Sequence, residues 1–245
     1  MKLVQFGDIA LPSTQSKFDM PRTAVHQTLS PTGSRGGSYD LYGVQSPIND
    51  QALGYEFVFR GGERSVLDDV LGKIGRRDTL IAALYDGTRR QANAKLLSVS
   101  ESTLTREETS LGLRKVKCDW TAEPYWYDDT ATQVDLVATT QALVVNDGNA
   151  RAIRGLKFTL NPTLASGVQI RNDANGQYLT VSTNVTSALV IDCGAQSVLM
   201  GATNVYANTT RPDTQIEFLS LEPGLNVLRF SVAVSGWVEY RSCWL

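Results

Sequence analysis

A seam between two β-like halves constrains this chain more than any single motif. Residues 113–120 (Leu-Arg-Lys-Val-Lys-Cys-Asp-Trp) read as a strand, and an aromatic turn follows, Glu123-Pro-Tyr-Trp-Tyr-Asp128. A second β segment then starts through Asn146-Asp-Gly-Asn149 and Gly155-Leu-Lys-Phe-Thr-Leu-Asn-Pro162. The chain has 245 residues, and two domains of about 100 to 130 residues each fit that length better than one. The division is placed at 1–130 and 131–245.

The C-terminal half has the denser punctuation. Strand candidates fall at 133–137, 141–145, 153–160, 168–171, 177–182, 188–192, 197–200, 214–220, 225–234 and 237–243. Asn175-Gly176 separates two of them as a hairpin turn, and Glu222-Pro-Gly-Leu-Asn226 joins two more. Short strands at this spacing predict a β-sandwich or jelly roll.

The N-terminal half is also mainly β. Strands are expected at 2–6, 22–29 and 53–60, where Tyr55, Phe57 and Phe59 share one face. Thr79–Tyr85 and Arg90–Ser100 flank the hairpin signal Asp86-Gly87, and 101–110 is a polar arm or tip. One amphipathic helix is predicted over 65–75. Ser65 would cap it with Asp68 as its partner, Val66, Val70 and Ile74 with Leu67 and Leu71 beside them would form the apolar face, and Gly75 would stop it. Between Ser30 and Asp50 lie about 20 residues of turn formers. A loop of that length in a compact domain is usually functional. Tyr39, Leu41, Tyr42 and Ile48 are its anchors for a partner, and Arg76 and Arg77 after the helix complete the candidate assembly interface.

Catalytic chemistry finds no foothold. There is one histidine, His26, and no Gly-x-Ser-x-Gly elbow. The acidic pairs Asp68-Asp69, Glu107-Glu108 and Asp128-Asp129 are sequence neighbours, which on a strand point to opposite faces. Arg171-Asn-Asp-Ala-Asn-Gly176 departs from a calcium loop, because Arg171 takes the first ligand position. Cys118, Cys193 and Cys243 are odd in number and widely spaced, so buried reduced thiols are expected. No catalytic, cofactor-binding or metal-binding residue is therefore assigned. A net charge of -2 gives no general attraction to nucleic acid. No apolar run reaches the roughly 20 residues that span a bilayer, and no membrane anchor or signal peptide is expected. The aromatics Tyr125, Trp126, Tyr127, Trp237, Tyr240 and Trp244 leave a second reading open, a sugar-stacking face on the sandwich.

The order of these features resembles the distal tail protein family of long-tailed bacteriophages. The likeness runs through the helix near Ser65–Ile74, the Asp86-Gly87 turn and Lys117-Cys-Asp-Trp-Thr-Ala-Glu-Pro-Tyr-Trp126. It continues through Leu189-Val-Ile-Asp192, Val198–Gly201 and Phe218-Leu-Ser-Leu-Glu-Pro-Gly-Leu-Asn226. The resemblance implies a ring-forming N-terminal β domain with one short helix and a galectin-like C-terminal β-sandwich. It implies a structural role without catalysis: a ring, expected to be a hexamer, joining tail tube to tail tip or baseplate. The implied partners are further copies of the chain, the tube protein and the tip hub protein. The implied location is the virion, after assembly in the host cytoplasm. DNA would pass without specific binding, so Arg76, Arg77, Arg89 and Arg90 are expected at interfaces or outside, near acids such as Asp68 or Asp86. The alternative is a carbohydrate-binding or host-surface adhesion module of a tail or baseplate.

Overall fold

Apolar alternation rolls the first sheet up on itself. The structure, a computed structural model, describes residues 1–18, 51–152, 154–161 and 167–245. Within these the chain divides into two compact units, Met1–Trp126 and Tyr127–Leu245. The first unit contains strands β1 (Lys2–Phe6), β2 (Ile9–Ala10), β3 (Gln15–Phe18), β4 (Gln51–Phe59), β5 (Arg77–Ala83), β6 (Arg89–Glu101) and β7 (Arg114–Ala122). All pair antiparallel, in the order β2-β1-β5-β6-β7-β4-β3.

Tyr55, Phe57 and Phe59 turn inward together, as their alternation requires, and are almost fully buried. Trp120 on β7 meets Phe57 edge-on at 5.7 Å and Phe6 of β1 at 6.2 Å. β1 and β7 are three places apart in the sheet, about 14 Å if it were flat. Their side chains meet because the sheet curls around them. Side-chain hydrogen bonds then join the two sides of the roll, Tyr55 donating to the Met1 carbonyl at 3.4 Å. Gln15 on β3 accepts a hydrogen bond from the Leu3 N–H at 2.8 Å and donates to the Leu3 carbonyl at 2.7 Å. A side-chain amide thus stands in for one rung of a β ladder.

Helix α1 spans Arg64–Gly72, starting one residue before and ending three residues before the expected 65–75. Ser65 is not its cap and Asp68 is not a capping partner. A single 3-10 turn, Gly61–Glu63, feeds straight into the helix, and the Arg60 N–H donates to the Glu63 carboxylate at 2.9 Å. Of the expected apolar face only Leu67 and Val70 are buried; Val66 is half-buried, Leu71 is exposed, and Ile74 lies beyond the helix and is exposed. Gly75 sits past the stop at φ +79°, and its N–H donates to the Leu96 carbonyl on β6. The polar stretch after β6 contains a second, one-turn helix, α2 (Arg106–Ser110). Short strand β8 (Trp126–Asp128) crosses the boundary between the units.

The second unit is organised by two long strands, β9 (Thr132–Asn146) and β17 (Gly224–Tyr240). They pair antiparallel along most of their lengths, with the register interrupted between Arg229 and Gly236. The sequence predicts breaks at 137–141 and 234–237 between shorter strands. The structure instead bends continuous ones. At the bend Ala138 has φ 46° and Gly236 φ 135°, and the Ala138 N–H donates to Ser235 Oγ at 3.1 Å. A Cβ on Gly236 would lie 2.0 Å from the Thr159 carbonyl oxygen, so only glycine lets the strands approach there.

The bend carries the strand pair from one layer into another. The N-terminal half of β17 pairs with β11 (Val168–Asn172), followed by β12 (Tyr178–Val181) and β16 (Thr209–Thr210). Its C-terminal half pairs with β10 (Lys157–Leu160), followed by β13 (Leu189–Asp192), β14 (Ser197–Met200) and β15 (Thr203–Asn204). Phe158 of one layer meets Phe230 of the other edge-on at 6.3 Å, and Leu160, Ile170, Val181, Leu189 and Ile191 fill the space around them. The last strand, β18 (Cys243–Trp244), is short.

The strand expected at 214–220 does not form. Phe218, Leu219 and Leu221 are fully buried, but polar side chains hold the backbone instead of a neighbouring strand. Gln177 Oε1 accepts from both the N–H and the hydroxyl of Ser220 at 2.9 Å. Asn172 donates to the Ser220 carbonyl at 2.8 Å, and Gln215 donates to the carbonyls of Glu217 and Phe218.

Candidate assembly interface

Side chains at the two ends of β6 form the most distinctive surface of the first unit. The β5–β6 turn is stiff. Asp86 Oδ1 accepts from the Thr88 N–H at 2.9 Å and its hydroxyl at 2.7 Å, and the Leu84 N–H donates to the Thr88 carbonyl. The Thr88 hydroxyl, ahead of its N–H, holds the Asp86 carboxyl below the usual carboxylate range. This turn presents Tyr85 to solvent with 98% of its surface exposed. Arg89 and Arg90 follow, and the charge of Arg90 also favours ionised Asp86.

At the other end, α2 is capped by Thr105, whose hydroxyl accepts from the Glu108 N–H, while Glu108 accepts from the Thr105 N–H at 2.8 Å. Lys115 forms an ion pair with Glu108, and Arg114 with Glu101 at 2.9 Å. The Lys115 contact, then the Thr105 N–H, brings the Glu108 carboxyl down to about 2. Between α2 and the bases of β6 and β7 lies an open hollow of about 350 Å³, lined in part by Ser102, Leu104, Thr109 and Leu113. Leu111 beside it is 71% exposed.

Arg76 and Arg77 are both exposed, in the turn after α1 and at the start of β5. Arg77 approaches Glu123 at 3.9 Å, so its acidic neighbour is one the sequence had not singled out. Lys73, between them and α1, is clamped by Asp8 at 2.8 Å and Asp78 at 2.9 Å, which ties the helix end to the β1–β2 turn and β5. Tyr39, Leu41, Tyr42, Ile48 and His26 lie outside the described residues. The sequence does not mark out Tyr85, because no periodicity distinguishes a displayed side chain at a strand end from a buried one. The available signal was an aromatic residue directly before Asp86-Gly87.

In the second unit the candidate sugar platform is split, with Trp237 half-buried. Tyr127 and Tyr240 are buried, and Trp244 is half-buried and donates to the Asp128 carboxylate at 3.0 Å. Trp126, in the first unit, is buried and donates to Gln51 at 3.3 Å. The calcium-like segment is tied into the fold. Asn172 also donates to Asn226 at 2.9 Å, Asn175 donates to Ser220 and Glu222, and Arg151 pairs with Glu222 at 2.8 Å. Among the described residues no cluster suits a metal ion, and no helix is long and apolar enough to cross a membrane. The three cysteines are free and buried, and burial pushes each thiol up to about 12. Outside, exposed Val145 and Leu225 lie opposite each other on β9 and β17, next to the pair of exposed Leu143 and half-buried Val227.

Comparison with known proteins gives these surfaces a context. Residues 147–244 match the family model described as siphovirus-type tail component, C-terminal domain. The crystal structure of the Dit protein of phage SPP1, described as a paradigm of the hub adsorption apparatus in phages that infect Gram-positive bacteria, is similar across both units. The TM-score is 0.56 at 13% identity, over 85% of this chain and 87% of that one. No curated protein sequence matches. The matched family is structural rather than enzymatic. The chain thus has the mainly β fold of a siphovirus distal tail protein, and its residues 147–244 match the C-terminal domain of the siphovirus-type tail component family.

Proposed function

We propose that this protein is a structural subunit of a phage tail, whose N-terminal unit forms a closed homo-oligomeric ring, a hexamer, between tail tube and tail tip or baseplate. The observation that supports this most is the order of units: a rolled β unit followed by a tail-component C-terminal domain, with the fold of SPP1 Dit over most of both chains. The tube protein and the tip hub protein would be its axial neighbours, the virion its location after assembly in the host cytoplasm, and DNA would pass through the ring unbound. The candidate boundary for the ring-forming part is residues 1–130. The burial of Tyr127 and Tyr240 takes two of the second unit's candidate platform aromatics away from a carbohydrate-binding face.

Closure follows from physical economy. A surface that binds a different surface on the next copy leaves both exposed at the ends of an open chain, and a ring covers them all. Negative-stain imaging of the purified full-length chain, with its mass from light scattering, tests the proposal. Six-fold rings are expected. A monomer at high concentration and inside the particle would refute it.

A further inference from the structure

We infer that Tyr85 of one copy seats in the hollow beside α2 of the next, making β6 the strut that relays the ring contact from one subunit to another. The inference rests on the ring reading above and names the contact that would build it.

A ring needs two different, complementary surfaces on opposite flanks of each subunit. The two ends of β6 supply such a pair. The strand has 13 residues and is about 40 Å long at an ordinary rise, so a chain cannot place its own Tyr85 in its own hollow. Tyrosine is well suited to the knob, with an apolar body and a polar tip. The turn that shows it is held by four hydrogen bonds, so little freedom is lost on docking. A volume of about 350 Å³ accommodates one aromatic side chain. Leu104 and Leu113 offer apolar wall to the ring, and the hydroxyls of Ser102 and Thr109 offer partners to the phenol.

Charge favours the same match. The cations lining the hollow, Arg114 and Lys115, are already paired with Glu101 and Glu108, so a neutral phenol meets no exposed counter-charge demand.

The test uses two full-length variants. Tyr85→Ser removes the knob from a fully exposed site and leaves the hollow. Leu104→Glu fills the hollow with charge and leaves the knob. Each alone should lose rings and run as a monomer, and a one-to-one mixture should form a dimer, since one intact contact remains between unlike variants. As a second measurement, Tyr85→Cys combined with Leu104→Cys should give covalent multimers on oxidation, because the native thiols are buried. Rings from either single variant, or a mixture that stays monomeric beside wild-type rings, would overturn the contact and leave the ring standing. Absence of rings from the wild type would remove the ring reading as well.

Discussion

Gln15 does with a side chain what a backbone rung does elsewhere. Its amide satisfies both the N–H and the carbonyl of Leu3, closing the roll where β1 and β3 meet. Replacing it with alanine leaves both groups without that partner, at a cost of about 2 kcal/mol. Urea denaturation of Gln15→Ala should show this as a lower midpoint at unchanged slope. An unchanged midpoint would show that water replaces the amide. Gly236 is a second single-residue constraint. Its φ of 135° and the Thr159 carbonyl 2.0 Å from a Cβ position penalise any side chain. Gly236→Ala should destabilise the protein by roughly 3 kcal/mol or more, strain and steric overlap acting together. Near-wild-type stability in the same denaturation would mean that the bend relaxes. Neither role was visible in the sequence. Gln15 lies in a short polar run with no period, and Gly236 looked like the gap between two strands. Hydrophobic periodicity shows which face is buried, but not which backbone groups lack partners or where a strand bends.

The elements follow the sequence unevenly, and the reasons are physical. Tyr55, Phe57 and Phe59 alternate at strand period and are buried together, and Leu67 and Val70 at helical period turn to the core. The Asp86-Gly87 and Asn175-Gly176 turns sit where the dipeptides predicted them, with Gly87 at φ 86° and Gly176 at φ 72°. The failures came where polar side chains replaced backbone pairing. Residues 214–220 alternate well enough to imitate a strand, but Gln177, Gln215 and Asn172 hold that backbone. Likewise α2 was read as a polar tip because one turn is too short to show a period. Glu108 joins its capping box to Lys115. The Glu108 carboxyl is lowered from the ordinary 4.5 to about 2 by Lys115 first and the Thr105 N–H second. A lowered carboxyl stabilises the fold fully above its unfolded value, and that stability is lost as pH falls from about 4.5 toward about 2. Carboxyl-carbon NMR should therefore find Glu108 still mainly ionised near about pH 3.5, where an ordinary glutamate is mainly protonated. A midpoint at the ordinary value would show that the pair does not hold in solution, and α2 should then be equally ordered at pH 7 and about pH 3.

At the scale of the whole molecule, the two units answer different demands, and this leads to a test of their independence. The first unit's core is a roll closed by few groups, whereas the second has long strands bent through two layers and a satisfied polar network at one end. In that network Asn146 donates to the Ala150 carbonyl at 2.7 Å and accepts from the Cys243 N–H at 3.0 Å, which ties the start of the unit to its last strand. Gly148 permits this closeness, since a Cβ there would lie 1.7 Å from the Cys243 carbonyl oxygen. Asp128 adds two more ties, its N–H donating to the Ser242 carbonyl at 3.1 Å and its carboxylate accepting from Trp244. The polypeptide therefore returns to its entry point with its terminal strands joined, a common condition for autonomous folding. We expect residues 127–245 expressed alone to be monomeric and to melt in one cooperative transition, with near-ultraviolet dichroism from the buried aromatics retained. A start at Ala131 discards the Tyr127 and Asp128 contacts, so that shorter piece should melt lower. Equal melting would show that these contacts are incidental. A molten spectrum from the longer piece would show that the unit depends on the first, and a ring built by the first unit could not then carry the second as a separate body.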